Sequence, residues 1–126
     1  MAGTETTPDF KGTLLEANLS MTSTGLTVGT HENYPVKITA DGQVGLPSIE
    51  NKFFGVVRVI EDDAICSVQA KGVAELAYTG TVGVGLVELV ANGSGGVKAP
   101  ATPGTGIEYW VLRDDEDNDL VQIILG

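Results

Sequence analysis

Few side chains in this sequence of 126 residues could act as a nucleophile or a base, since it contains one imidazole, His31, and one thiol, Cys66. His31 lies in a polar loop. Cys66 lies on the apolar side of an alternating segment, whereas a reactive thiolate needs a cationic and partly open setting. A carboxylate pair formed by Glu75 and Glu88 is the remaining candidate, although only their apolar neighbours single them out. The sequence therefore predicts no catalytic residues, and we expect the protein not to be an enzyme.

Acidic clusters offer the next possible chemistry. Asp115, Asp117 and Asp119 recur at every second position and supply oxygen atoms of the kind that Ca²⁺ accepts. An EF-hand loop needs glycine at its sixth position, where this sequence has Leu120. The cluster at 61–63 has the same acidic character. The sequence favours solvated turns and predicts no metal or cofactor, while cation binding by these turns stays an open alternative.

The overall charge restricts the class of partner. The chain carries 17 Asp and Glu against 7 Lys and Arg, for a formal net charge of -10. Such a chain repels phosphate backbones and anionic lipid headgroups, so we expect neither nucleic-acid nor membrane binding. A single cysteine fits a reducing cytoplasm, and the first ten residues lack the pattern of a signal peptide. We therefore expect synthesis in a cytoplasm.

Residue patterns indicate an all-β fold. The chain is rich in Val, Ile and Thr, contains 17 glycines, and has no extended helical period. Asp41-Gly42 is typical of a tight hairpin turn, and Gly72 interrupts an alternating segment as at the corner of a small barrel. The sequence predicts a small single-domain β-barrel or β-sandwich over residues 10–126, preceded by a flexible N-terminal arm over residues 1–9. Strands are expected at 12–19, 34–40, 43–46, 53–60, 64–71, 73–78, 86–91, 97–99, 107–113 and 120–125, with 20–29 as a loop or a short edge strand.

Large apolar side chains exceed what one core layer can bury. In the segment 107–113, Trp110 and Leu112 alternate with apolar residues that would point the opposite way. Phe53 and Phe54 are adjacent, so they cannot both face inward from a regular strand. For these residues, a second core layer and a contact with another protein remain equal alternatives.

The second half of the chain combines several short apolar and glycine-containing segments. They are Phe54-Gly-Val-Val57, Val68-Gln-Ala-Lys-Gly-Val73, Gly83-Val-Gly85 before an apolar strand, a glycine-rich turn, and the final Val121-Gln-Ile-Ile-Leu125. In this pattern the chain resembles the capsid decoration proteins of tailed bacteriophages, also called cement or head-stabilisation proteins.

This resemblance implies a compact, β-tulip-like fold and a structural role without catalysis. Such a protein sits on the outer capsid surface of the virion, often as a homotrimer, and bridges subunits of the major capsid protein after synthesis in the host bacterial cytoplasm. On this basis the arm and the surplus aromatic side chains become the expected capsid or subunit contacts. The expected partner-binding residues are Thr4, Thr6, Thr7, Asp9, Phe10, Lys11, Phe53, Phe54 and Trp110.

A binding module of another class is the main alternative. Exposed Tyr34, Tyr78 or Trp110 could form a stacking platform for a carbohydrate or another ligand, as in a phage or bacterial surface structure. A glycan-array screen without a hit would count against this alternative.

Overall fold

The computed structural model describes residues 17–126, which form a small all-β domain. No helix occurs in this range, so none there is long and apolar enough to cross a membrane. The predicted arm at 1–9 with its expected contact residues, the expected contact residues Phe10 and Lys11, and the start of the first predicted strand, 12–16, lie outside the described residues. The strands are β1 (Ala17–Thr24), β2 (Pro35–Ala40), β3 (Gln43–Gly45), β4 (Gly55–Ile60), β5 (Ile65–Ala77), β6 (Gly85–Ala91), β7 (Val97–Lys98), β8 (Ile107–Asp115) and β9 (Leu120–Leu125).

Five of these strands close into a barrel, in the order β1-β3-β2-β4-β5 and back to β1. All neighbouring strands in the barrel are antiparallel except β1 and β3, which are parallel. The turn that joins β2 to β3 contains Gly42 with a φ of 66°, as the predicted Asp-Gly hairpin requires. The structure thus resolves the alternative between barrel and sandwich in favour of a barrel with additional strands.

The barrel has its own apolar core, made from small β-branched side chains and the single cysteine. Met21, Leu26, Tyr34 and Phe54 pack around its edge. Cys66 is buried, and burial raises the pKa of its thiol, as expected for a cysteine that packs as a hydrophobe. The buried members are Val36, Val44, Val57, Ile60, Cys66 and Val68.

Strand β5 belongs to the barrel and to a second sheet, and it changes partners at Gly72. Lys71 is the last β5 residue paired with β1, whereas Gly72 is the first paired with β9. Gly72 has a φ of 93°, a backbone conformation that residues other than glycine rarely adopt. The corner predicted at this glycine is confirmed, although β5 continues through it without a break.

The second sheet continues from β5 through β9, β8 and β6 to the short β7. Its inner face buries alternate residues of β9 and β8 together with Phe53 and Leu76. Tyr78, just after β5, is also buried in this second core, and its hydroxyl donates a hydrogen bond to Asp114 Oδ1 at 2.6 Å. The predicted terminal hairpin of β8 and β9 is therefore the centre of this sheet.

The position of Gln69 differs from the one that the alternating pattern of β5 predicts. The pattern places Gln69 on the solvent side, but its side chain is fully buried, with 0% exposed. Its Nε2 donates to the carbonyl oxygens of Lys71 at 3.0 Å and Val73 at 3.1 Å, which flank Gly72. Its Oε1 accepts a hydrogen bond from Arg58 at 2.6 Å. The amide therefore holds the corner at which β5 changes sheets.

We expect Gln69→Leu to lower the free energy of unfolding by about 2–4 kcal/mol, because two backbone carbonyls lose their amide donor in a buried site. Urea unfolding followed by circular dichroism measures this change. The control is Gln43→Leu, the same substitution at a half-buried glutamine of β3, which should cost about 0.5 kcal/mol or less. Equal losses in the two variants would contradict a special role for Gln69.

Candidate partner-binding groove

An apolar groove of about 420 Å³ lies along β8 where it passes β9 and the segment before β4. Three of the residues expected from the sequence to contact a partner, Phe53, Phe54 and Trp110, line this groove together. They come from distant parts of the chain and are brought together by the second sheet. The other lining residues are Ile107, Glu108, Tyr109, Ile124 and Gly126.

Phe53 and Tyr109 form the rigid base of the groove. Their rings stack with centroids 5.0 Å apart and planes 13° from parallel. The Tyr109 hydroxyl donates a hydrogen bond to the Phe53 carbonyl oxygen at 2.7 Å, and burial raises the pKa of Tyr109 to about 12. Phe53 is only 2% exposed, so it supports the groove from the core, while the half-buried Phe54 and the exposed Trp110 can reach a partner.

Trp110 belongs to an apolar row on the outer face of the second sheet. It pairs directly with Leu86 of β6, and these side chains are 56% and 50% exposed. Val111 pairs with Ile123, which places Trp110 beside Ile124 of β9. Ile124 in turn pairs with Val73 of β5. Val73 is buried, so the accessible part of the row crosses the three strands β6, β8 and β9, or about 10 Å at the usual strand spacing.

Carboxylates mark one side of this apolar row. Glu108 is exposed and lines the groove, directly opposite Glu88 in the β6–β8 pairing. The Glu88 carboxylate accepts hydrogen bonds from the backbone nitrogens of Gly104 at 3.0 Å and Gly106 at 2.8 Å, and these bonds lower its pKa. Glu88 thus stays ionised and stabilises the loop before β8, whereas Glu108 leaves a negative charge at the groove.

The candidate catalytic residues are separated in the structure. Glu75 lies on β5 and accepts a hydrogen bond from Gln122 at 3.2 Å. Glu88 lies on β6, three strand spacings or about 14 Å across the sheet, so these two carboxylates do not form a pair. His31 Nδ1 accepts a hydrogen bond from the Thr27 backbone nitrogen at 2.8 Å, and the His31 ring meets Tyr34 edge-on.

The acidic turns have structural roles within the described residues. Asp114 accepts hydrogen bonds from Tyr78 and from the Gly83 backbone nitrogen at 3.0 Å. The Asp115 carboxylate accepts a hydrogen bond from Asn118, which lowers its pKa. Within residues 17–126, no group of three His, Cys, Asp or Glu side chains is placed to hold a metal ion.

A second cavity, of about 270 Å³, bears on the alternative of a stacking platform. It is lined by His31, Tyr34, Leu46 and the glycine-rich loop at 93–96. Tyr34 is half-buried there, and its ring lies so close to Gly95 that a side chain at that position would collide with it. Of the three rings proposed for a platform, Tyr78 is buried, and Trp110 lies in the separate apolar groove. The three therefore do not form one surface.

Comparison with known proteins gives no match, either to a protein-family model or to a curated protein. The groove therefore has to be interpreted from its own geometry. Sequence reasoning missed Leu86 and Ile124, which complete the apolar row, because neither stands out in a run of apolar residues. Only the pairing of their strands with β8 brings them next to Trp110.

We expect Tyr109→Phe to lower the free energy of unfolding by about 1–2 kcal/mol near neutral pH, because the buried Phe53 carbonyl loses its donor. The measurement is urea unfolding. Tyr34→Phe, the same change at a half-buried tyrosine outside the groove, is the control and should cost less.

The same variant should also change the response to alkaline pH. Tyrosine in an unfolded chain ionises near pH 10, whereas folded Tyr109 keeps its proton up to about pH 12. The folded state therefore binds more protons in this window, and stability falls as the pH rises through it. We expect a shallower fall in Tyr109→Phe, and identical pH profiles for the variant and the parent would contradict this role.

Proposed function

We propose that this protein decorates the outer surface of a tailed-phage capsid, where it stabilises the shell by bridging major capsid subunits. The observation that carries the proposal is the exposed apolar groove around Trp110, in which residues expected to bind a partner meet. The proposed role requires no catalysis, and the protein acts through its surfaces as a structural component of the virion.

The composition of the groove supports protein contact. An exposed tryptophan beside an exposed leucine is an unfavourable arrangement in water, since each buries a large apolar area when it is covered. Tryptophan is also among the residues that most often dominate binding energy in interfaces. The stacked Phe53 and Tyr109 hold this surface in one shape before binding, which reduces the entropy lost on association.

Charge and architecture are compatible with this position on a shell. A net charge of -10 is suited to the outside of a capsid, where the protein does not have to neutralise packaged DNA. The closed barrel leaves no free sheet edge among its five strands, so it presents a stable body to the exterior. We further propose a homotrimer on the capsid, with the groove at a subunit or capsid contact.

Co-sedimentation with tailed-phage capsids that lack the protein tests the proposal. Saturable binding at a fixed ratio to the major capsid protein, together with a raised melting temperature of the shell, is the expected result. Absence of binding to those capsids would remove the proposed role. The bound ratio per symmetry site also tests the trimer.

We expect Trp110→Ala to weaken capsid binding by about 30-fold, the effect of losing about 2 kcal/mol at a central interface tryptophan. The control is Ile38→Ala, which removes another exposed apolar side chain, from β2 of the barrel. Ile38→Ala should bind as the parent does. Equal binding by both variants would place the contact elsewhere on the surface.

Deletion of residues 1–9 should also weaken capsid binding, since the arm is expected to contribute Thr4, Thr6, Thr7 and Asp9 to the contact. We expect a smaller loss than for Trp110→Ala, because a segment that orders on binding loses part of its contact energy to entropy. The same co-sedimentation assay measures it. Unchanged binding would remove the arm from the interface.

The alternative function is a ligand-binding module, and the cavity between Tyr34 and the loop at 93–96 is the feature that favours it. Its aromatic wall and adjacent backbone amides are of the kind that hold a sugar ring. A glycan-array screen distinguishes the two functions: a hit that Tyr34→Ala abolishes, with no binding to capsids, would favour the alternative.

A further inference from the structure

One edge of the second sheet is open beside the apolar row. Strand β6 pairs with β8 along Gly85–Leu89, whereas β7 pairs only with Val90 and Ala91 on the opposite side of β6. The register of β7 would place Pro100 opposite Glu88, and proline has no backbone N–H group to donate. Among the described residues, the segment Gly85–Leu89 therefore has a neighbouring strand on one side only.

The hydrogen bonds at the end of β6 fix the side to which each of its backbone groups points. The Asn92 nitrogen donates to the Gly96 carbonyl oxygen at 3.0 Å, towards β7, whereas the Ala91 nitrogen donates to the Asn51 carbonyl oxygen at 2.8 Å, away from β7. The N–H and C=O groups of successive strand residues point to opposite sides. Even-numbered residues of β6 therefore direct these groups towards β7 and the open edge, and odd-numbered residues direct them towards β8.

Leu86 and Glu88 are the even-numbered residues of β6 on the open edge. Within residues 17–126, no backbone hydrogen bond is made to the N–H and C=O groups that they direct to this side. The Leu86 side chain is 50% exposed and lies next to Trp110 in the apolar row. An edge with unpaired backbone groups and an exposed apolar side chain is the kind of edge to which a further strand adds.

From this geometry we infer that an extended segment of the major capsid protein binds the protein by adding a strand beside β6. The inference rests on the proposed capsid role and specifies how the contact is made. The backbone groups of Leu86 and Glu88 are spread over about 7 Å along β6, so an extended chain can pair with both residues at once. The occupant of the edge is therefore a strand of another protein.

The surroundings of the edge define the side chains that this segment needs. The partner residue opposite Leu86 has its side chain on the same face of the sheet as Leu86 and Trp110. An apolar residue there extends the apolar row by one strand and covers Leu86 from the side opposite to Trp110. The partner residue opposite Glu88 lies beside the carboxylates of Glu88 and Glu108, which favour a basic side chain. The segment thus carries an apolar and a basic residue two positions apart.

Amide hydrogen exchange in the capsid-bound protein tests the inference, with the free protein as the reference. In the free protein the amides of Leu86 and Glu88 should exchange rapidly, while those of Val87 and Leu89, which face β8, exchange slowly. On capsid binding we expect exchange at Leu86 and Glu88 to slow by about ten-fold or more, because both amides gain a hydrogen bond. Mass spectrometry of peptides that contain Gly85–Ala91 measures this change.

A proline substitution tests the same strand pairing by removing one donor. Glu88→Pro lacks the N–H group that faces the open edge, and proline is tolerated in edge strands at such positions. The matched control is Glu88→Ala, which loses the same carboxylate but keeps the N–H group. We expect Glu88→Pro to bind capsids about ten-fold more weakly than Glu88→Ala in the co-sedimentation assay. If circular dichroism shows that Glu88→Pro does not fold, the exchange measurement on the parent protein decides.

The outcomes separate this inference from the capsid role. Capsid binding by the parent without slower exchange at Leu86 and Glu88, or equal binding by folded Glu88→Pro and Glu88→Ala, would overturn the inference and leave the capsid role intact. Slow exchange at both amides already in the free protein would also overturn it, because another part of the chain or a second copy would then occupy the edge. Absence of capsid binding by the parent would overturn both.

Discussion

The amide of Gln69 and the backbone of Gly72 together form the constraint on which the rest of the structure depends. Gly72 supplies a φ of 93°, and Gln69 satisfies the carbonyl groups on both sides of it. The corner allows one strand to close a barrel with its first half and to begin a second sheet with its second half. Without it, β5 would need to end in the middle of the molecule with buried polar groups unpaired.

The groove is a consequence of this arrangement. Because β9 pairs with β5 only after the corner, the C-terminal end of β9 stops where β1 begins. The segment before β4 crosses the same region and contributes Phe53 to the second core, while Phe54 packs against the barrel core. The two adjacent phenylalanines therefore connect the two cores. The groove that they line opens to solvent at Trp110.

The sequence predicted most strands and the corner, because alternation and glycine are local signals. It predicted the terminal hairpin for the same reason, since an acidic turn separates two apolar runs. It did not predict that residues 20–24 continue β1 between β3 and β5, because this segment is polar and its strand partners are distant in the sequence. The burial of Gln69 was not predictable, because its partners are backbone carbonyls that face it only after β5 bends. The apolar row was also hidden, since Leu86 and Trp110 become neighbours through strand pairing over a long sequence separation.

The division of β5 also separates the part of the fold that is synthesised first from the part that is synthesised later. The part of each strand that pairs within the barrel, and every residue of the barrel core cluster, lies before Gly72, while β6 to β9 all follow it. Synthesis runs from the N-terminus, so the residues that form the barrel leave the ribosome first. A nascent chain can therefore close its barrel while the ribosome still holds the second sheet, and the finished barrel then offers the remaining half of β5 as a template edge for β9.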